Sequence, residues 1–327
     1  MVARTSSIST GTKTVIGMIL LTAGFLATLG TVFGFFGGVW WAFDFAANFR
    51  LQFGVVLVVV SVFYWIIVGK GAALLFLTAG LVNLLLVIPI FAGTQAAAAG
   101  DARLDVVTFN VNSEVTARGE IIEWIRTLDA DLVILQESTE AWVEALEQAP
   151  LDMAVIAVPD FTMVYGTTVL AAIDASARTL PIGTGDKTIV EISTSLGGED
   201  ITVFAVHPPA PTSEASAIVH DEMLEAVGTI TAARSEPVIV VGDLGATRWS
   251  SAFGTLMSEG SLINSEDGNG YQGTWPARDL TVIGPYVSIP VDHALMTRAL
   301  TTTSRETGPM MGSDHLPLLV QIAPAGA

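Results

Sequence analysis

The chain contains no cysteine. That excludes disulfides, thiolate metal sites and cysteine nucleophiles, and it leaves the redox compartment open. Basic residues are scarce. Over 327 residues, 14 Lys+Arg stand against 32 Asp+Glu, a formal net charge of -18. A surface this acidic repels polyphosphate backbones and argues against general nucleic-acid binding. It still admits a small anionic substrate, because a divalent cation inverts the local field. Charge of either sign is nearly missing from the N-terminal part, where only Asp44, Arg50 and Lys70 lie between Lys13 and Asp101.

That charge-poor region accounts for a mean hydropathy of +0.60, too high for an ordinary soluble protein. It holds three apolar stretches, at residues 14–36, 51–68 and 72–92. Each approaches the ~20 residues that cross a ~30 Å hydrocarbon core. A cleavable signal peptide would explain the first stretch but not all three; a buried helical core is the competing reading. Phe35, Phe36, Trp40 and Trp41 resemble an interfacial aromatic belt. Arg4 and Lys13 precede the first stretch and Lys70 separates the second from the third. Positive residues favour the cytoplasmic side, so the N-terminus is expected inside and the C-terminal domain outside. The expected location is a multi-pass cell-membrane protein with the lipid bilayer as partner.

Residues 93–102, with Gly93, four successive alanines and Gly100, read as a linker between an anchor at 1–92 and a domain at 103–327. Four of the 14 basic residues and one of the 32 acidic residues fall before position 93, which leaves 10 against 31 in the rest. From residue 103 the periodicity predicts a strand at 104–109, a helix at 120–128, a strand at 131–135 and a helix at 139–146. Strands follow at 164–172, 188–193 and 201–206, then a helix at 215–233, a strand at 237–241 and a short helix at 252–258. Residues 266–274 read as an exposed loop, and strands at 291–296 and 316–322 close the chain. This mixture predicts sheets with helices packed outside them.

Short polar clusters end the apolar strands: Asn110, Gln136-Glu137, His207-Pro208, Gly242-Asp243, Val291-Asp292-His293 and Ser313-Asp314-His315. Glu137, directly after a buried strand, suits a Mg²⁺ ligand, and Asn110 could add a neutral oxygen; taken alone, each is more often a strand-end cap or turn residue. Asp243 could align or deprotonate a water. His207, before a proline-rich loop, could donate to a phosphate oxygen or a leaving group, or simply pack under that loop. Asp292 and the Asp314-His315 pair complete the set, since a carboxylate on one ring nitrogen fixes an imidazole tautomer and stabilises its cation. His293 is expected to face the core and His220 an exposed helix face. Met310 and Met311 could form an apolar lip or be loop packing.

In this order, and with Thr274-Trp275-Pro276 between them, these clusters resemble the endonuclease/exonuclease/phosphatase superfamily of metal-dependent phosphoesterases, and with the apolar N-terminus its membrane-anchored bacterial branch. The resemblance covers residues 103–322. It implies an α+β, DNase I-like fold, a four-layer α/β/β/α sandwich, here preceded by a helical transmembrane block. It implies Mg²⁺ or Mn²⁺ held by Asn110, Glu137 and Asp314. It implies Asp243 orienting the water, His207 on the phosphate or leaving group, and Asp292 with His315 acting as a pair on the phosphate. Two positions depart from the pattern. Gly245 stands where the family has Asn, and residues 173–177 lack the family's Ser-Arg. The expected function is therefore a membrane-anchored phosphoesterase acting on a phosphodiester or phosphomonoester, with a phosphorylated lipid, an envelope glycolipid or a small molecule as substrate. The alternative is a catalytically impaired member that binds a partner, such as a membrane protein, in the cell envelope. A tethered nuclease ranks third.

Overall fold

The structure is a computed structural model, and it describes residues 9–116, 118–160, 166–182, 187–277 and 284–326. Arg4, used above for orientation, and positions 164 and 165 of one expected strand lie outside these residues. The chain divides into two units, Met1–Ile88 and Pro89–Ala327.

In the first unit, α1 (Thr10–Phe33), α2 (Trp41–Ala47), α3 (Arg50–Ile67) and the start of α4 (Lys70–Ala92) follow one another. Three of them, α1, α3 and α4, are long and apolar enough to cross a membrane. Their outward faces carry Ile19, Leu26, Ile66 and Leu85, all exposed. Small residues and one polar node hold their inward faces. Arg50 Nη1 donates to Thr31 O at 2.9 Å, and Asn83 Nδ2 donates to Thr31 Oγ1 at 2.8 Å. The Arg50 guanidinium lies 4.2 Å from the Phe35 ring centroid. A charge among apolar helices is stable only with such partners.

The second unit, from Pro89, takes in residues 93–102, which read as a linker. Its backbone is bonded to the domain: Ala98 bridges Ala325, Ala99 N donates to Pro324 O at 2.8 Å and Gly326 N to Ala97 O at 2.7 Å. Then come β1 (Leu104–Asn110), α5 (Arg118–Arg126), β2 (Leu132–Gln136), α6 (Glu140–Gln148), β3 (Ala154–Ala157), β4 (Thr167–Ala171), β5 (Ser176–Pro181), β6 (Thr188–Leu196), β7 (Glu199–Ala205), α7 (Glu214–Ala232), β8 (Val238–Asp243), α8 (Ser251–Glu259), β9 (Leu262–Asn264), α9 (Gly284–Val287), β10 (Asp292–Thr297), β11 (Leu300–Thr307) and β12 (Leu318–Pro324). Two six-stranded sheets result, ordered β11-β12-β1-β2-β4-β3 and β5-β6-β7-β8-β10-β9.

Alternating strand residues build three cores. Leu132, Ile134, Val203, Val241 and Val320 fill the space between the sheets. Val133, Leu135, Ile121, Ile125 and Trp142 pack the first sheet against α5 and α6. Phe204, Val240, Leu224, Val227 and Phe253 pack the second against α7 and α8. A strand whose neighbours are all apolar is buried on both faces, as β2, β4 and β8 are. The four-layer sandwich expected from the resemblance is the observed fold.

Two local expectations are corrected. Residues 266–274 are not an exposed loop: Glu266 and Thr274 have no exposed surface. Arg248 reaches the Glu266 carboxylate at 3.5 Å, so paired charge replaces solvent. His220 is not on an exposed helix face but is 1% exposed. Its Nε2 bonds Leu244 O at 2.8 Å and its Nδ1 bonds Asp221 Oδ1 at 2.8 Å, so a polar ring is buried because both nitrogens are satisfied. Met310 and Met311 part company: Met311 is buried in the core with Phe109 and Trp142, while Met310 is exposed. His293 faces the core as expected, with Nε2 2.9 Å from Ala246 O.

Candidate active site

Strand pairing decides which polar ends meet. β1 and β2 are parallel with Asn110 opposite Gln136, so Asn110 and Glu137 leave the first sheet side by side. β12 runs antiparallel to β1 with Leu318 opposite Thr108. The residues just before β12, including His315, therefore arrive at that same edge. In the second sheet β7 and β8 are parallel, which brings His207 to the edge where β8 ends in Asp243. β10 is antiparallel to β8 with Asp292 directly opposite Asp243. One end of the sandwich thus collects residues from six separate sequence clusters.

The side chains bond across the gap between sheets. Asn110 Nδ2 donates to Glu137 Oε1 at 3.0 Å and to Asp243 Oδ2 at 3.0 Å. Glu137 adopts φ 58, and Ser113 N donates to its Oε2 at 3.1 Å. His207 Nε2 stands 3.8 Å from Asp243 Oδ2 and 4.0 Å from Glu137 Oε1. His315 Nε2 stands 3.5 Å from the same Asp243 oxygen, and its Nδ1 is 3.0 Å from Asp292 Oδ2. Asp243 Oδ1 accepts Gly245 N–H at 2.9 Å. Glycine is required at 242: with φ 147, an added Cβ would lie 2.0 Å from Val206 O.

Asp314 hydrogen-bonds a different pair of residues. It is exposed, and its Oδ1 accepts Asn112 Nδ2 at 2.8 Å and its Oδ2 accepts Trp275 Nε1 at 2.9 Å. Asn112, Ser113 and Trp275 carried no role in the sequence reading. Trp275 was visible in a motif, and Asn112 had a weak signal as one of the few residue types tolerating its φ of 54. The sequence pattern gives Ser313 no role of its own either; its Oγ donates to Asn110 O at 2.7 Å and accepts His315 N–H at 3.1 Å.

Burial and neighbours separate the proton affinities of these groups. Burial holds His207 below its ordinary value, outweighing the pull of Asp243 and Glu137, so its ring is neutral near pH 7. Burial also opposes the His315 cation, but Asp292 and Asp243 outweigh it and the ring is pushed up to about 10. Burial alone would raise Asp243. The His315 and His207 rings, the Asn110 amide and the Gly245 N–H outweigh that effect and hold it below the ordinary carboxylate range. Asp292, with no exposed surface, is raised by burial against the opposing His315 cation.

Asp243, Asp292 and His315 offer ligand atoms all within 4.8 Å of one another, a spacing that could hold a metal ion. With His315 protonated, its nitrogens carry protons rather than free lone pairs, so a cation there must first displace one. The donor set of Glu137 and Asp314 fits a hard cation by another criterion. Each of their four carboxylate oxygens accepts one hydrogen bond in the contacts above, which leaves a second lone pair on each for coordination. Both side chains also keep solvent access, Glu137 at 28%.

Residues 107–315 match the sequence pattern of the endonuclease/exonuclease/phosphatase family. No curated protein matches the chain. Among solved structures, an endonuclease/exonuclease/phosphatase from Beutenbergia cavernae superposes with a TM-score of 0.54 at 19% identity, covering 69% of this chain and 73% of that one. D. rerio TDP2 complexed with a single-strand DNA product superposes with a TM-score of 0.54 at 16% identity, covering 68% and 99%. The mannosyl-6-phosphatase Bt3783 of Bacteroides thetaiotaomicron gives 0.51 at 14% identity, covering 67% and 99%. Identities this low speak to fold alone.

Proposed function

The chain belongs to the endonuclease/exonuclease/phosphatase family, and from that premise we propose that it is a membrane-anchored phosphoesterase dependent on Mg²⁺ or Mn²⁺. Its substrate is a phosphodiester or phosphomonoester carried by a lipid or envelope glycolipid, and its catalytic domain lies outside the cytoplasm. The observation that carries the proposal is the convergence of three neighbours on one edge: Asp243 Oδ2 lies 3.8 Å from His207 Nε2 and 3.5 Å from His315 Nε2. A set of groups pushed apart in proton affinity is what acid–base division of labour requires.

The residues divide the work accordingly. Asp243, held ionised and fixed through Asn110 and Gly245, accepts a hydrogen bond from the attacking water and aligns it. His315, charged and held by Asp292, attracts the phosphoryl oxygens as negative charge builds on them. His207, neutral, donates through Nε2 to a phosphate or leaving-group oxygen. Glu137 and Asp314 would hold the divalent cation, which would supply charge neutralisation at the phosphate; Asn110, expected as a third ligand, instead turns its Nδ2 donor to Glu137 and Asp243 and its Oδ1 to Asn112 N–H. The three apolar helices, long enough to cross a membrane, support the anchoring, and the excess of acidic residues disfavours nucleic acid. Gly245 favours the second reading, an impaired member acting as a binding partner in the envelope, because one donor of the family pattern is missing.

The test is turnover by the purified full chain in detergent, with phosphodiester, phosphomonoester and phospholipid substrates, under Mg²⁺, Mn²⁺ and a chelator. Chelator-sensitive turnover lost by roughly 10²-fold or more in Glu137→Ala supports the enzyme. Turnover indifferent to chelator and to Glu137 refutes it. Protease digestion of the C-terminal domain on intact cells checks the orientation.

A further inference from the structure

Asp243 Oδ1 is held by the N–H of Gly245. The carbonyl of the same peptide unit, Leu244 O, accepts a hydrogen bond from His220 Nε2 at 2.8 Å. A carbonyl can only accept, so Nε2 carries a proton. On the far side of the ring, Nδ1 is 2.8 Å from Asp221 Oδ1. One planar peptide is therefore gripped at both ends, by an imidazole on α7 and by the carboxylate at the end of β8.

We infer that His220 is a positioning residue for Asp243, acting through the Leu244–Gly245 peptide. The inference rests on the role given to Asp243 above. Peptide planarity transmits the constraint, because fixing the carbonyl direction fixes the opposed N–H. Hydrogen bonding at the carbonyl also polarises the N–H and strengthens its bond to the carboxylate. The device answers a local need. Gly245, at φ 60, has no side chain to brace this turn, and glycine tolerates rotation of the adjoining peptide that other residues resist. A rotated peptide would aim a carbonyl oxygen rather than an N–H at Asp243. His220 opposes that rotation from a helix whose core residues Met223, Leu224 and Val227 are buried against the sheet.

The test uses the full chain in detergent, labelled with leucine carbonyl ¹³C and glycine ¹⁵N. Only Leu-Gly pairs then report, and the sequence has three, at Gly30, Gly197 and Gly245; Gly245→Asn removes and so assigns the last. His220→Leu should shift the Gly245 amide proton upfield and speed its solvent exchange about 10-fold or more. His220→Gln, whose side-chain amide can still donate to Leu244 O, should restore both. With bis(p-nitrophenyl) phosphate and Mg²⁺ or Mn²⁺, His220→Leu should lower kcat by about 10- to 100-fold at unchanged KM, again rescued by Gln. Asp221→Asn, at a largely exposed site, provides a variant that keeps the fold and should move the same amide in the same direction. An unmoved Gly245 amide in His220→Leu, or in Asp221→Asn should the first not fold, overturns the inference. So does a moved amide with unchanged kcat. A wild type silent toward every phosphate ester refutes the proposed function instead, and the amide comparison still decides whether His220 holds the peptide.

Discussion

Asp292 Oδ2 and His315 Nδ1 lie 3.0 Å apart, and neither residue is more than 6% exposed. β10 presents the acid and the loop before β12 presents the ring. The pair joins the two sheets at the edge where the other site residues end.

The alkaline limb of stability should report this pair. The folded-state value of His315, pushed up to about 10, exceeds the ordinary imidazole value of ~6.5. Its ion pairing therefore stabilises the fold fully below about pH 6.5 and is lost as pH rises through about 10. Thermal unfolding of the full chain in detergent, followed by tryptophan fluorescence from pH 6 to 11, should show Tm falling across that window. His315→Gln should flatten the fall. A wild-type Tm level up to pH 10 contradicts the assignment.

The acid limb should report His293. Burial, with Arg305 and Arg248 nearby, pushes this ring down to about 3. The unfolded chain then binds the extra proton first, so stability is complete above about pH 6.5 and is lost as pH falls toward 3. His293→Gln should be less stable at pH 7, yet lose less on going from pH 6.5 to 4. An unchanged acid slope in the same melts would show that another group governs it.

Gly245→Asn should fold and should raise turnover. Asparagine tolerates the φ of 60, and an added Cβ would meet Pro211 Cδ at 3.4 Å and His220 Nε2 at 3.6 Å, which are ordinary contacts. A new amide donor at the reacting phosphate is worth on the order of 10²–10³ in rate in other enzymes. Initial rates with Mg²⁺ compare the two proteins; a variant no faster than wild type shows that Gly245 costs nothing.

Gly242→Ala should be damaging. The added carbon would fall 2.0 Å from Val206 O, a backbone atom of β7's extension that has no room to move. Overpacking and a strained φ together cost about 3 kcal/mol or more. For a unit of this size that lowers Tm by roughly 6–12 °C. An unshifted melt would mean the turn relaxes freely.

The chain-order motifs make the fold readable and name most of the residues that gather at the candidate site. Glu137, Asp243 and Asp292 each follow or open an apolar strand, and alternation of buried residues locates such strands without any partner. Edge strands were harder. β5 reads Ser-Ala-Arg-Thr-Leu-Pro with four of its six residues exposed, and β11 is rich in threonine, so neither stands out by hydropathy. Their existence depends on pairing with β6 and β12, which is non-local. The burial of His220 is not legible for the same reason: helical spacing does not show that Leu244 O, 24 residues away, satisfies its ring.

Composition and local pattern by themselves determined three apolar helices, the succession of strands and helices, and the residue types capable of handling a cation and a phosphate. These are properties of short windows, set by side-chain hydrophobicity and backbone preference. Only the tertiary structure decided which nitrogen faces which oxygen, that His207 is neutral while His315 is charged, and that Asp314 is held by Asn112 and Trp275. Those outcomes follow from burial, hydrogen bonding and Coulomb interactions between groups as far apart as Asn112 and Asp314, 202 residues away in the chain, and these forces act through distances that exist only once the sheets have packed.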